Sequence, residues 1–265
     1  MKGFPARSEG RWLWMTLSAG FVLLAALPLG ALVWGALPGQ PLRLLADPLV
    51  REALRLSLVT SAAATVLAVL LGLPVAYLLA RYTFRGRAAL EVLLDLPLTL
   101  PPVVAGLGLL LAFGRMSLLG QWLEGMGLRL AFSTAAVVLA QTFLATPLFI
   151  RAAKAGFQAV PRELEEAAHG LGRGPWAVFW RVSLPFARPA LVAGLVLAWA
   201  RALGEFGATL MFAGNLPGVT QTLPLAVLSA LDQNLSLALA VGLVSLTLAG
   251  LALGLLRVVE GRWKA

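Results

Sequence analysis

Five stretches that could each form a membrane span carry no charged side chain. They lie between Arg11 and Arg43, Arg55 and Arg81, Asp95 and Arg115, Arg129 and Arg151, and Asp232 and Arg257. Each holds at least 19 residues, close to the ~20 that a helix needs to cross a hydrocarbon core of ~30 Å. Backbone in lipid must satisfy its own hydrogen bonds, so such stretches fold as helices. Only 12% of the 265 residues are charged and 60% are apolar, against roughly 25% charged in a soluble domain. The chain reads as an all-α integral membrane protein.

Six transmembrane helices are expected, at roughly 12–36, 54–80, 89–114, 131–152, 187–212 and 235–258. Lys2, Arg7 and Arg11 ahead of an apolar run imitate a secretory signal, but the run is longer than a signal core and lacks a small-x-small cleavage site. It is read as an uncleaved first span. The third span contains Pro97, Pro101 and Pro102 in "DLPLTLPPVVAGLG". Proline removes backbone donors and kinks helices, so this kink is expected to face other helices or a water-filled path.

The formal charge of +9 does not point to nucleic acid, because the basic residues sit in short loops rather than on one face of a polar domain. Absence of cysteine removes disulfides, thiol chemistry and cysteine metal sites. With the N-terminus inside, the cytoplasmic segments hold 15 of the 21 Lys and Arg residues. The outer side keeps Arg43, Arg51, Arg55, Arg115 and Arg129, and Arg201 falls within the fifth span. The positive-inside bias therefore places both termini and the loop between spans four and five in the cytoplasm. The longest outer loop, 214–234, contains a short apolar helix at Leu223–Leu231 that lies in the outer interface or dips back into the membrane.

The cytoplasmic loop, "ELEEAAHGLGRGPWAVFWRVSLP", is the least membrane-like part of the chain. Its first helix starts at Pro161, suits Glu163, Glu165 and Glu166 to a positive N-terminus, and stops at Gly170 and Gly172. Leu164, Ala167, Ala168 and Leu171 share one face. A second helix runs from about Pro175 through Trp176, Phe179 and Trp180 to Leu184-Pro185. The segment either rests on lipid headgroups or docks a protein. An acidic patch against an anionic leaflet favours the protein.

Glu166, Ala167, Ala168, Leu171, Gly172, Trp176, Phe179, Leu184 and Pro185 match, at its spacing, the EAA motif of ABC-transporter importer permeases. The loop resembles the coupling helix of that family. The resemblance implies the type I ABC importer fold: six transmembrane helices, with a cytoplasmic coupling helix between the fourth and fifth. It implies docking to a separate cytoplasmic ATPase through Glu163, Leu164, Glu166, Ala167, Ala168, Leu171 and Gly172. Residues 1–11 and 259–265 are then cytoplasmic tails of a single domain, 12–258, whose coupling loop is 153–186.

In the fifth span, Arg201 and Glu205 are four residues apart and share a helix face. A lone charge at bilayer depth costs about 2.5–3.5 kcal/mol. Two readings stand: an internal ion pair that fixes helix packing, or an Arg201 that attracts an anion in the passage while Glu205 limits its field. "GEFGATLMFAGNLPG", with Ala208, Thr209, Met211 and Phe212, and "DLPLTLPPVVAGLGLL" are similar to the molybdate permease branch. Tungstate remains an alternative cargo, and sulfate/thiosulfate permeases are close relatives. The similarity runs from about Ala53 onwards, and the first span carries no motif.

On the second reading of the Arg201 and Glu205 pair, a translocation path is expected near Pro101, Pro102, Arg201, Glu205 and Thr209. The branch implies an extracytoplasmic oxyanion-binding protein at the outer loops, near Asn215, Pro217 and Gln221. Two ATPases and a second copy of the chain are implied around a two-fold axis in the inner membrane. His169 reads as a solvated or contact residue, and Gly250-x-x-x-Gly254 as a weak packing motif. No phosphate-binding loop, nucleophile with a base, metal pattern or cofactor site is found, so the chain reads as a transport subunit, not an enzyme. The rival class is an ion-coupled secondary transporter, which predicts internal repeats that the sequence lacks. A non-transporting scaffold leaves the fifth-span charges without a use.

Overall fold

The computed structural model describes residues 8–39 and 47–264, and every regular element among them is a helix. Lys2, Arg7 and Arg43 lie outside the described residues. Among the described residues five helices are long and apolar enough to cross a membrane, and a sixth crossing is assembled from a bent pair.

The first helix, α1 (Ser8–Ala36), matches the expected first span. It touches the rest of the chain at its C-terminal end, where Ala36 is buried and Gly35 lies against Leu239. The next, α2 (Pro48–Arg81), starts earlier than expected because Asp47 caps it, accepting the Leu49 N–H at 2.8 Å, with Pro48 at the first turn. It packs on α6 (Thr134–Gln158), which in turn packs on α9 (Leu184–Leu203).

These three helices form the centre, and small residues let them approach. A Cβ on Gly72 of α2 would meet Phe149 of α6 at 2.9 Å, and Arg81 reaches the Val160 carbonyl, so α2 and α6 run parallel. Between α6 and α9, Gly156 faces Ala190 and Gly194 faces Ala152, so these two run antiparallel. The core between them is alanine-rich, with Phe149, Phe157 and Leu79 as its largest members. In lipid there is no hydrophobic drive between helices, so close van der Waals packing of small residues carries the association.

The third span is not one helix. It divides into α3 (Arg87–Thr99) and α4 (Pro102–Phe113), whose axes turn by 114°. Leu100 and Pro101 are extended, with ψ of 137° and 131°. A residue before proline is pushed out of the helical region, and two successive prolines extend that constraint over a whole turn. The expected kink is thus a complete break. The pair still joins the two ends of the bundle: Glu91 and Asp95 meet Lys154 and Arg151 of α6, while Leu109 packs with Ala136 and Val137 near its start. A short α5 (Leu118–Gly125) follows.

The fifth span also departs from expectation, at both ends. The aromatic helix α8 (Pro175–Val178) does not stop at Leu184-Pro185 but runs through a π turn, Phe179–Ser183, straight into α9. The Leu184 N–H reaches back five residues to the Phe179 carbonyl. That wider turn gives the Pro185 ring the space that an α turn would deny it. Within the expected coupling loop, 153–186, α6 persists to Gln158, and 159–174 holds α7 (Arg162–Gly170) and two turns. At the other end α9 stops at Leu203, residues 204–206 are not helical, and α10 (Gly207–Ala213) begins afresh.

The short helix α11 (Leu223–Leu231) occupies the expected residues. It buries Leu223, Leu225 and Ala230 against α2 and α12 (Leu235–Lys264). The Leu223 N–H donates to Ser57 Oγ at 2.7 Å, well inside α2, so the segment folds back onto the bundle.

Candidate functional site

Two places concentrate polar chemistry, one at the foot of the bundle and one within it. At the foot, Pro161 is extended and precedes α7 instead of opening it. Glu163 and Glu165 occupy the first turn, next to the positive helix end. Gly172 ends the helix with φ of 78°. The Arg173 N–H donates to the Ala168 carbonyl at 3.1 Å and the Gly172 N–H to the His169 carbonyl at 2.9 Å, a Schellman stop. Gly170 itself stays helical, so the expected stop is set by Gly172 alone. His169 Nδ1 lies 3.0 Å from the Arg173 carbonyl. A carbonyl only accepts, so that nitrogen holds the proton and the ring seals the same turn.

The apolar face expected for α7 is divided. Leu164, Ala167 and Leu171 are exposed, Leu171 at 84%, together with Glu163, Glu166 and Gly172. Ala168 is half-buried against the chain itself. So is Glu165, which the sequence reading left out of the docking set. Its carboxylate bonds Arg81 and Ser183. Nothing local separates Glu165 from its two acidic neighbours; only the convergence of α2 and the π turn on α7 selects it.

The second place is the break in the fifth span. Arg201 and Glu205 do pair, Nη1 to Oε2 at 2.6 Å, but Glu205 stands beyond the helix instead of on its face. Its other oxygen accepts the Ala208 N–H at 2.8 Å, capping α10. An anion at a helix N-terminus is favourable, so one carboxylate holds the two half-helices in register. Glu205 is buried, whereas the Arg201 side chain keeps 29% of its surface accessible. Gly207 lies against Pro102, and a Cβ on Gly106 would sit 2.7 Å from the Ala208 Cα, so the two broken spans cross at their breaks. Thr209 and Pro102 are brought into this neighbourhood; Pro101, at the break, is exposed. Thr209 Oγ1 is buried without a partner among the described residues, as are both polar atoms of Gln141.

A third group escaped the sequence reading. Asp95 Oδ1 and Arg151 Nε lie 2.8 Å apart, and Glu91 joins Lys154 at 2.8 Å and Arg87 at 3.1 Å. In the sequence Asp95 and Arg151 read as borders of apolar runs, Arg87 and Lys154 as cytoplasmic basic residues, and nothing local pairs them with one another or with Glu91. In the 214–222 loop, Gln221 is buried, and its Nε2 bonds Asn215 Oδ1 and Ser229 Oγ, both at 3.0 Å. Asn215 also bonds Ser229 at 2.9 Å. Gln221 braces the loop from beneath and is not available for the outside contact expected of it. Leu216, Pro217, Gly218 and Val219 form the exposed crest. Among the described residues no cluster of His, Cys, Asp and Glu could hold a metal ion.

The family model for binding-protein-dependent transport system inner membrane components matches residues 68–265. The chain belongs to that family. It is accordingly a multi-pass inner-membrane component of a transport system that depends on a binding protein. Among its relatives, the molybdenum transport system permease protein ModB of Mycobacterium tuberculosis is 47% identical over 223 residues, 84% of each chain. A probable molybdenum ABC transporter permease of Haloferax volcanii is 41% identical over 252 residues, 94% of this permease and 90% of that one. In fold, the permease is similar to a chain of a bacterial alginate ABC transporter solved in complex with a pentasaccharide-bound periplasmic protein. The TM-score is 0.72 at 16% identity, covering 95% of this chain and 96% of that one.

Proposed function

We propose that this permease is the membrane subunit of an ATP-driven importer for an oxyanion, with molybdate as its cargo. The observation that carries this reading is the 47% identity to the mycobacterial molybdenum permease over 84% of both chains. ATP hydrolysis belongs to separate subunits. An ATPase docks on the exposed side of α7, through Glu163, Leu164, Glu166, Ala167, Leu171 and the Gly172 turn, with Ala168 seating the helix on its own chain. Two copies of the permease enclose the path, each contributing one docking helix to a pair of ATPases. The Lys and Arg bias supports α7 and both termini, including 1–11 and 259–265, on the cytoplasmic side. The binding protein delivers its anion at the crest around Pro217.

At the crossing of the broken spans, Arg201 serves both readings of its pair. Its bond to Glu205 fixes the break, and its accessible edge offers positive charge to an anion. Because Glu205 already neutralises it, the attraction is shallow enough to release the cargo. Pro101, Pro102 and Thr209 shape the same passage. Tungstate shares molybdate's size and charge and is the expected second cargo; sulfate is the competing reading.

Reconstituted vesicles holding the permease, its ATPase and its binding protein test this. Labelled molybdate uptake should require ATP and persist after ionophores collapse the ion gradients. Uptake driven by a gradient without ATP would establish a secondary transporter instead. Preference for sulfate over molybdate would move the cargo to the sulfate branch.

A further inference from the structure

We propose that Glu165 is the stiff link through which α7 moves the bundle, a positioning residue for transport and not part of the surface that meets the ATPase; this rests on the function proposed above. Three elements converge on its carboxylate. Arg81 Nη2, from the last residue of α2, donates to Glu165 Oε1 at 2.8 Å and lies 3.2 Å from the carbonyl of Val160, just past α6. Ser183 Oγ, from the last residue of the π turn, donates to the same oxygen at 2.5 Å. The Arg81 and Glu165 side chains are only 9% and 13% exposed, and Ser183 is buried. Glu163 and Glu166, on either side, are exposed.

The chain connection on the C-terminal side of α7 is a poor transmitter. Residues 171–174 join α7 to the fifth span, all are exposed, and two of the four are glycine. Such a turn flexes when α7 is pulled. The carboxylate network does not: a guanidinium at so sheltered a site loses its compensating charge if Glu165 leaves, and an uncompensated buried charge is strongly unfavourable. Displacement of α7 therefore carries Arg81, and α2 with it.

The same carboxylate holds Ser183, where the π turn ends. A π turn contains one surplus residue and is less favourable than an α turn, which makes it the place where a helix changes register. Its first residue, Phe179, is gripped by Tyr77 of α2 edge-on at 4.9 Å, and Tyr77 meets Phe157 of α6 at 5.2 Å. Tyr77 and Arg81 lie one turn apart on α2, so the two ends of the π turn are held to α7 through the same helix, Ser183 by Glu165 and Phe179 by Tyr77. Motion of α7 thus moves α2 and the π turn together, at the base of the helix that carries Arg201.

The test uses the full complex in vesicles, measuring ATP hydrolysis, anion uptake and ATPase retained on purification. Glu165→Ala should keep the ATPase bound while uptake per ATP falls about tenfold, the scale of an allosteric coupling energy. The reversed pair Arg81→Glu with Glu165→Arg should recover part of that ratio, which loss of general stability would not do. Ser183→Ala, a neutral change that leaves the charges paired, should lower the ratio in the same direction and serves if Glu165→Ala yields little protein. Unchanged uptake per ATP in both variants overturns the proposal. So does loss of ATPase binding in Glu165→Ala, which would put Glu165 in the docking surface. If the unsubstituted permease retains no ATPase, the functional reading itself fails.

Discussion

Gly106 of α4 and Ala208 of α10 approach until a Cβ on Gly106 would lie 2.7 Å from both the Cα and the carbonyl oxygen of Ala208. Backbone cannot yield there as a flexible side chain could. Gly106→Ala must push the two broken spans apart, at a cost of about 1–3 kcal/mol for overpacking. Gly108, two residues on and therefore on the opposite side of the helix, has no atom within 4 Å of such a Cβ, so Gly108→Ala should stay within about 0.5 kcal/mol. Thermal unfolding of the two variants in detergent should separate them clearly. Equal behaviour would mean that the crossing is not as close as described.

Arg201 and Glu205 invite a comparison of two variants. Glu205→Gln drops the charge yet keeps an oxygen for the Ala208 N–H, whereas Glu205→Ala loses both. The cap alone is worth about 1 kcal/mol, so Glu205→Ala should melt below Glu205→Gln.

Arg201→Ala strands the buried Glu205 carboxylate. Part of the arginine is solvated, so a loss of about 1–3 kcal/mol is expected, below the range for a fully buried pair. If Arg201 also meets the anion, uptake should fall further than stability does. A proportional decline in both would reduce the pair to a packing device.

Gly172 separates strain from contact. Its φ is 78° and no atom of the permease itself lies within 4 Å of an added Cβ, so within the permease the cost of substitution comes from the backbone. A left-handed conformation costs an ordinary residue about 1–2 kcal/mol, and asparagine less. ATPase retention should therefore fall in the order Asn, Ala, Val at this position. A ranking by side-chain volume on the exposed face, with Ala best, would indicate direct contact instead.

Leu171 tests the docking face. It is 84% exposed, so Leu171→Asp should leave the melting temperature nearly unchanged, within about 0.5 kcal/mol. An anchor at the centre of an interface is worth about 2 kcal/mol or more, and the ATPase should dissociate from the variant. Undiminished co-purification would remove α7 from the docking surface.

Helix existence was readable from charge-free length, because a lipid-embedded backbone has few alternatives. α1, α11 and α12 appear where the hydropathy places them, and Pro161 with the glycines at 170 and 172 located α7 within a residue or two. Continuity was harder. Span three breaks completely at Leu100-Pro101, and span five breaks at 204–206 although no proline lies there. The second break depends on Glu205 capping Ala208, three residues on, and on Pro102 seating against Gly207, from a segment 105 residues away. The opposite error arose at Leu184-Pro185, where a proline suggested an end and a π turn let the helix continue.

The order of charged and uncharged residues was enough to read the class and the rough position of the long apolar helices, since burial in lipid is a property of contiguous sequence. Which acidic residue of α7 turns inward, which loop side chain is a brace, and how the two broken spans meet were settled only when distant helices came together. Glu163, Glu165 and Glu166 are chemically alike along the chain. Arg81 and Ser183 make Glu165 different, and their positions around it exist only in the folded bundle.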